Sequence, residues 1–236
     1  MSNFYSEWYE TRKNGLCDRD AIVAFIRSAD ETLLPLFTGN DVELSTAFAA
    51  ILQVPIEDVL NVVKNEVISR ELTPADVPCF SSFDMGAHRL NELLEFEPNG
   101  LSFSEAGYQL MNSVQDGARK KYGENHSKLA TIMSLVEISY THRTAIITPT
   151  AWGRFLTSYD LMQKKNVLQK LILRDLCVKI IVKGALNGPV DYRSIVSFLA
   201  KSTAIRRRSN VKYLVEYVLN GTDLEYVLTR INWECE

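Results

Sequence analysis

The chain has few of the residues that build metal centres and disulfide frameworks, with four cysteines and three histidines in 236 residues. Cys17, Cys79, Cys177 and Cys235 form no C-x-x-C pair, which argues against a zinc knuckle or a thioredoxin-like redox motif. The histidines form neither H-x-x-x-H nor H-E-x-x-H. We therefore expect no cofactor and no metal. Scattered cysteines of this kind are typical of reduced thiols in a cytoplasmic protein.

Long apolar runs and the glycine motifs of nucleotide-binding enzymes are also lacking. No stretch approaches the ~18 apolar residues of a transmembrane helix, and the first ten residues lack the basic and apolar regions of a secretory signal. Walker, G-x-G-x-x-G and G-x-S-x-G motifs are absent. We therefore expect a non-enzymatic protein of the cytoplasm, with nucleoid association left open and no membrane partner. An unrecognised nuclease is the less favoured alternative, because no carboxylates precede a Glu-x-Lys triplet in a strand.

Charge is distributed unevenly along a chain whose formal net charge is only −3. Residues 1–116 contain 7 basic and 19 acidic residues, whereas residues 117–236 contain 19 basic and 10 acidic residues. A basic half can follow a phosphate backbone, whereas an acidic half repels DNA and suits a protein partner or a second copy of the chain. Attraction between the two halves across an internal interface remains an alternative.

Apolar residues recur mostly with the period of a helix. Two pairs of predicted helices are separated by only a few residues, which is the helix-turn-helix pattern. In the first pair, Pro55 suits the start of the second helix, where its missing N–H costs nothing. The predicted helices span 18–28, 44–52, 56–68, 128–135, 161–185, 192–200 and 203–219.

An internal repeat of about 20 residues occurs in the middle of the chain. Its copies run from Leu94 through Asn99-Gly100 to Leu110 and from Val136 to Leu156, and Gly107 matches Gly153. Asn-Gly is a strong hairpin signal, so each copy predicts a strand, a turn, a strand and the opening of a helix. The candidate N-cap residues are Ser102 or Ser104 and Thr148 or Thr150.

A helix-turn-helix closed by a two-stranded wing is the winged-helix pattern, and the two repeats resemble the close of many prokaryotic winged-helix domains. The resemblance implies a mainly α fold with short β-hairpin wings, arranged as tandem winged-helix modules. We expect an acidic winged-helix-like module over 1–116 and a middle winged-helix-like module over 117–160. A basic C-terminal helix-turn-helix module is expected over 161–236.

The strongest functional signal lies in the last predicted helix, where Ser202 and Thr203 suit a cap and three arginines follow. The N-terminal residues of a recognition helix face bases, and neighbouring basic residues bind phosphates. Because each residue turns a helix by about 100°, only one or two of the arginines are expected to face DNA, with Ile205 and Val211 towards the core. The candidate nucleic-acid-binding residues are Ser202, Thr203, Arg206, Arg207, Arg208, Asn210, Lys212, Arg119, Lys120, Lys121, Lys128 and Arg143.

These features favour a protein that binds double-stranded DNA through its basic C-terminal half and a protein partner through its acidic N-terminal half. A transcription regulator and an accessory subunit of a DNA-processing or antiviral defence system both fit. The alternative from another class is a non-catalytic scaffold, similar to the tandem winged-helix proteins that associate with the kleisin of SMC complexes.

Overall fold

The computed structural model describes residues 41–111 and 115–235. This part of the chain is mainly helical, with one three-stranded antiparallel sheet and one two-stranded pair. Its buried apolar side chains, from Leu44 to Cys235, form one continuous core. The helix predicted over 18–28 lies outside the described residues.

The first two described helices are α1, Asp41–Gln53, and α2, Ile56–Asn65. Both agree with helices predicted from periodicity, although α2 ends three residues earlier than expected. Pro55 stands at the N-cap of α2 with φ of −58°. The ring of proline fixes φ near this value, so it fits the start of a helix.

A helix runs over 83–95, with a π-helical turn at Met85–Arg89 followed by α3, Leu90–Glu95. The predicted strand at 94–96 is therefore wrong. Leu90 and Leu94 are both completely buried, and residues four apart share one face of a helix. Their spacing fits a helix that packs on the core, so the first copy of the repeat starts with a helix and contains no hairpin.

The three-stranded sheet consists of β1, Leu101–Ser102, β2, Val136–Thr141, and β3, Thr144–Pro149. Its strand order is β1-β3-β2, and all pairs are antiparallel. The hairpin predicted in the second copy of the repeat is confirmed as β2–β3. Leu101 of the first copy pairs with Ile147, its match in the second copy. The repeat therefore contributes to one shared sheet instead of two separate wings.

Three further helices surround this sheet: α4, Phe103–Leu110; α5, Asp116–Ile132; and α6, Ala151–Thr157. The sequence left two cap candidates for each helix that follows a strand. Ser102 caps α4 by accepting a hydrogen bond from Glu105 N, and Thr150 caps α6 by accepting one from Gly153 N. The boundary predicted between residues 116 and 117 falls inside the first turn of α5.

The long helix predicted over 161–185 is two helices, α7, Leu161–Leu171, and α8, Leu176–Asn187. A 3-10 turn at Ile172–Arg174 separates them. Asp175 then begins α8, because its carboxylate accepts a hydrogen bond from Val178 N. Apolar residues continue without interruption through the junction, so periodicity alone did not reveal the break.

The C-terminal elements are β4, Val190–Asp191; α9, Tyr192–Ile195; α10, Lys201–Leu219; a 3-10 helix, Glu225–Arg230; and β5, Ile231–Asn232. Strands β4 and β5 pair in parallel. The predicted cap at Asp191 is confirmed, since it accepts a hydrogen bond from Ser194 N. The predicted Ser202–Thr203 cap is wrong, because α10 begins at Lys201 after Ala200 and has no side-chain cap.

One order of elements occurs twice along the chain. A helix is followed by a two-residue strand, a short helix capped by the second strand residue, a long helix and another strand. The first occurrence covers 83–141, with Ser102 as the cap, and the second covers 176–232, with Asp191 as the cap. The long helices α5 and α10 therefore have the same place in this order of elements, although a 3-10 helix stands between α10 and β5.

Candidate nucleic-acid interface

Helices α4 and α5 approach each other closely because glycines lie at their contact. A Cβ on Gly107 would stand 1.9 Å from the carbonyl oxygen of Arg119. A Cβ on Gly123 would stand 2.0 Å from the carbonyl oxygen of Phe103. No larger residue fits at such distances without moving the backbone. The glycines therefore fix the short helix against the long one and set which side of α5 faces outward.

The outward side of α5 is basic. Lys120, Lys121 and Lys128 are exposed, whereas Arg119 is half-buried and turns towards α4, where it contacts Tyr108. The opposite side carries Leu129 and Ala130, which are buried in the core. Four of the predicted nucleic-acid-binding residues are therefore on one helix next to the sheet.

Glu124 lies between two of these lysines. Its carboxylate accepts hydrogen bonds from Lys121 Nζ at 3.0 Å and from Lys128 Nζ at 2.6 Å. Partial burial acts to raise the pKa of Glu124, but the hydrogen bonds and charges of Lys128 and Lys121 outweigh burial and lower it. Glu124 therefore holds the two ammonium groups in place and cancels part of their charge.

Arg119 is held by two neighbours at the start of α5. Its guanidinium lies over the ring of Tyr108, 4.7 Å from the ring centre, and its Nη1 donates to Asp116 Oδ1 at 3.2 Å. A cation above an aromatic ring is attracted by the electrons of the ring face. The side chain is thus oriented before any ligand arrives.

The turn between β2 and β3 presents the remaining predicted residue of this region. His142 and Arg143 have positive φ values of 50° and 69° and join the paired residues Thr141 and Thr144. Two-residue hairpins of this type favour Asn and Gly, because most side chains are strained at positive φ. The tip of the hairpin therefore consists of two residues whose side chains strain the backbone at positive φ. Both residues are exposed.

His126, although on α5, faces inward. It is completely buried, its Nδ1 lies 2.8 Å from the carbonyl oxygen of Tyr122, and its Nε2 lies 3.3 Å from Ser81 Oγ. Burial lowers the pKa of the imidazole, and the backbone hydrogen bonds only partly oppose it. The ring therefore ties α5 to the segment before residue 83.

On α10, the other long helix, one predicted arginine faces outward. Ser202, Arg206 and Lys212 are exposed, and Thr203 is half-buried. Lys212 lies 3.8 Å from Glu216 Oε1 on the next turn. Ile205, predicted to face the core, is 44% exposed and shares this outward side, whereas Val211 is buried as predicted.

Three predicted residues of α10 turn inward and bind backbone carbonyls. Arg207 Nη1 donates to the oxygens of Pro74 and Val77, and Asn210 Nδ2 donates to the oxygen of Phe80. Arg208 Nη1 donates to the oxygen of Trp233 at 3.2 Å. These bonds connect segments far apart in the sequence. The three side chains therefore stabilise contacts inside the molecule.

The sequence pattern did not single out several side chains of the α5 surface. Tyr108 supports Arg119 from α4, Glu124 joins two lysines, and Tyr140 stands 73% exposed on β2. The usable signal was the spacing of Lys121, Glu124 and Lys128, because residues three and four apart are neighbours on a helix.

No group of three or more His, Cys, Asp or Glu residues able to hold a metal ion occurs within 41–111 and 115–235. In the same part of the chain, none of the helices combines the length and apolarity that crossing a membrane requires. Comparisons with protein-family models, with curated proteins and with solved structures gave no match to this chain.

Proposed function

We propose that this protein binds double-stranded DNA through a winged-helix module formed by residues 83–149. The observation that carries the proposal is the element order helix, strand, helix, helix, strand, strand, combined with the β1-β3-β2 sheet. In winged-helix proteins the third helix enters the groove and the hairpin reaches the backbone. Helix α5 holds the groove position here, and β2–β3 is the wing.

The basic surface of α5 supports phosphate binding. Lys120, Lys121 and Lys128 project to solvent, and Arg119 is positioned over Tyr108. Contacts from Lys and Arg to phosphates supply most of the sequence-independent affinity for DNA. Because Glu124 already pairs with two lysines, DNA must compete with that carboxylate, and the net gain per lysine is correspondingly modest.

The strained hairpin tip supports a role for its own side chains. A residue other than glycine in the left-handed region costs about 1 kcal/mol or more, and such strain concentrates at functional sites. His142 and Arg143 both adopt this conformation in the exposed turn. We assign Arg143 a phosphate contact that a relaxed Asn-Gly turn would lack.

The C-terminal helices supply the second module of the tandem. Helices α9 and α10 form the helix-turn-helix pair, and Lys201, Ser202, Arg206 and Lys212 share the exposed side of α10. We propose that Arg206 and Lys212 add phosphate contacts, while Arg207, Arg208 and Asn210 hold the helix in place. The acidic N-terminal half serves a protein partner or a second copy, as expected for a regulator or an accessory subunit of a DNA-processing or defence system.

The test is a fluorescence-anisotropy titration of duplex DNA at several salt concentrations. The variant combines Lys120→Gln, Lys121→Gln and Lys128→Gln. We expect at least a tenfold loss of affinity at about 0.1 M salt, and a decrease of about 2 to 3 in the slope of log K against log salt.

The matched control combines Arg89→Gln, Arg154→Gln and Lys165→Gln, which removes the same charge from other exposed positions. The control should bind within about threefold of the unmodified protein. Equal losses in the two triple variants would show that net charge alone, and not the α5 surface, governs binding.

A second candidate function is a non-catalytic winged-helix scaffold that binds protein. The pairing of Glu124 with Lys121 and Lys128 favours it, because a surface with internal ion pairs has less charge to offer a phosphate backbone. Light scattering with and without DNA separates the two candidates. A stable dimer that shows no change of mass with duplex DNA at low salt supports the scaffold.

A further inference from the structure

A cleft of about 390 Å³ lies between α5 and the segment 70–80. Lys121, Asn125 and Lys128 of α5 line one wall, and Ile132 continues it. The floor is formed at the junction of α7 and α8, by Arg174 and Leu176. A volume of this size accommodates a small organic molecule, since ligand pockets start at about 300 Å³.

The lining carries more positive than negative groups. Five cationic side chains border the cleft: Arg70, Lys121, Lys128, Arg174 and Arg207. The only acidic residues among its described lining residues are Asp76 and Asp175. Asp76 is bound by Arg70 and by the backbone N and hydroxyl of Thr73, and Asp175 caps α8. Glu124, outside the lining, pairs with Lys121 and Lys128. Five cations therefore stand against three carboxylates, all of them engaged, and an excess of positive charge faces the cleft.

Two hydrogen-bond donors at the cleft have either no acceptor or a weak one within the protein. Arg207 Nη1 binds the carbonyl oxygens of Pro74 and Val77, but its Nε is buried and has no hydrogen-bond partner among the described residues. Asn125 Nδ2 donates to Cys79 Sγ at 3.7 Å, a weak acceptor. Buried donors are nearly always satisfied in folded proteins, so the Nε of Arg207 points to an acceptor supplied from outside the chain.

The rest of the wall is apolar. Pro74, Val77, Pro78 and Phe80 come from the segment 70–80, and Leu129 and Ile132 from α5. An inorganic anion would use the cations and leave this part of the cleft unfilled. A ligand with an anionic group at one end and a flat or apolar body at the other matches both parts.

We propose that this cleft binds a small organic phosphate of the size of a mononucleotide. The phosphate lies between the Lys121 and Lys128 ammonium groups and the Arg207 guanidinium, and the organic body packs on Phe80 and Leu129. This site shares Lys121 and Lys128 with the proposed DNA-binding surface of α5, but its ligand fills a cleft and requires neither the wing nor α10's outward side, so it is tested without DNA.

The experiment uses AMP as the probe, with the full chain and no DNA, in isothermal titration calorimetry. Inorganic phosphate and adenosine form two further arms. We expect saturable binding of AMP, with at least tenfold weaker binding of phosphate and of adenosine. The proposal is overturned if AMP does not bind up to millimolar concentration. It is also overturned if adenosine binds with equal affinity, because the phosphate would then not contribute to binding. Equal affinity for inorganic phosphate contradicts an organic ligand.

Variants and a chemical probe locate the site. Lys121→Gln with Lys128→Gln should weaken AMP binding at least tenfold, whereas Arg154→Gln with Lys165→Gln should leave it unchanged. If the double variant does not fold, Arg70→Gln is the second test, since this side chain is largely exposed. We expect it to weaken AMP binding at least threefold.

AMP should also slow alkylation of Cys79, because this half-buried thiol lines the cleft. Peptide mass spectrometry measures the alkylation. Binding without protection of Cys79, or unchanged in the cleft variants, places the ligand elsewhere and refutes the proposal.

Discussion

Lys170 is a charged side chain inside the core, only 1% exposed. Its Nζ donates to the carbonyl oxygen of Ile51 at 2.5 Å and to Asn166 Oδ1 at 2.8 Å, and it lies 3.4 Å from the carbonyl oxygen of Leu52. These carbonyls belong to the last turn of α1, which leaves acceptors without helical partners. Burial lowers the pKa of the ammonium to about 8, and the charge of Glu57 partly opposes this. One lysine thus anchors the end of α1 to α7.

Titration of Asp175 is expected to change the free energy of unfolding. Burial raises the pKa of its carboxyl from 3.8 to about 7, although hydrogen bonds from Val178 N and Cys177 N oppose the shift. The folded state therefore binds a proton more tightly than the unfolded state. This contribution to the free energy of unfolding is fully present below about pH 4 and is lost as pH rises through about 7.

Asp175→Asn removes the charge and keeps an oxygen that accepts from Val178 N. We expect the variant to be more stable than the unmodified protein at pH 8, by about 1–3 kcal/mol, and the difference to shrink towards pH 5. Urea unfolding at pH 5, 6, 7 and 8 measures it. His88 and His126, whose pKa values are lowered mainly by burial, act in the opposite direction in both proteins, so the difference isolates Asp175. A difference that does not change with pH would contradict the assignment.

At the scale of the elements, the contact between α4 and α5 depends on glycine. Gly107→Ala would bring a methyl group to 1.9 Å from the carbonyl oxygen of Arg119, so the helices must separate. Overpacking of this kind lowers the free energy of unfolding by about 1–3 kcal/mol or more.

Gly117→Ala, in the first turn of α5, is the control, because a Cβ there meets nothing within 4 Å. It should be neutral or stabilise by up to about 1 kcal/mol. Thermal and urea unfolding followed by circular dichroism give both values, and similar losses in the two variants would refute the close-contact explanation.

The sequence predicted those elements that are determined by residues close together in the chain. The β2–β3 hairpin, helices α1 and α2 and the Asp191 cap followed from alternation, periodicity and cap chemistry. The strand predicted at 94–96 failed because Leu94 continues the helical spacing from Leu90, and Phe96 lies exposed just after the helix ends at Glu95. The break at Asp175 was hidden because the buried residues Leu173 and Cys177 continue the apolar pattern on both sides of it.

At the scale of the whole molecule, α10 is tied to a distant segment by polar bonds. Arg207 and Asn210 bind three carbonyls within 74–80, more than 120 residues earlier in the chain. No local pattern could distinguish these two from Arg206, whose side chain faces solvent. The sequence assigned the whole arginine run to DNA, but the direction of each side chain depends on packing between remote segments.

This connection gives a prediction that separates the three arginines. Arg207→Ala should destabilise the protein by about 1–3 kcal/mol, because charged donors to carbonyls are lost and the carbonyls become unsatisfied. Arg206→Ala should change stability by less than about 0.5 kcal/mol. Hydrogen exchange at 74–80 should accelerate only in Arg207→Ala. If both variants exchange alike there, α10 does not hold the segment.

The pairing of β1 with β3 has a consequence for synthesis of the chain. Leu101 and Ser102 pair with Ile147 and Ile146, so about 45 residues must be translated after β1 before its partners exist. At about 5–20 residues per second, the ribosome needs several seconds for this interval. During that time α4 and α5 can form, but the edge of β1 has no strand to bind. The nascent chain therefore passes through a stage in which α5 can exist before the complete sheet next to it has formed.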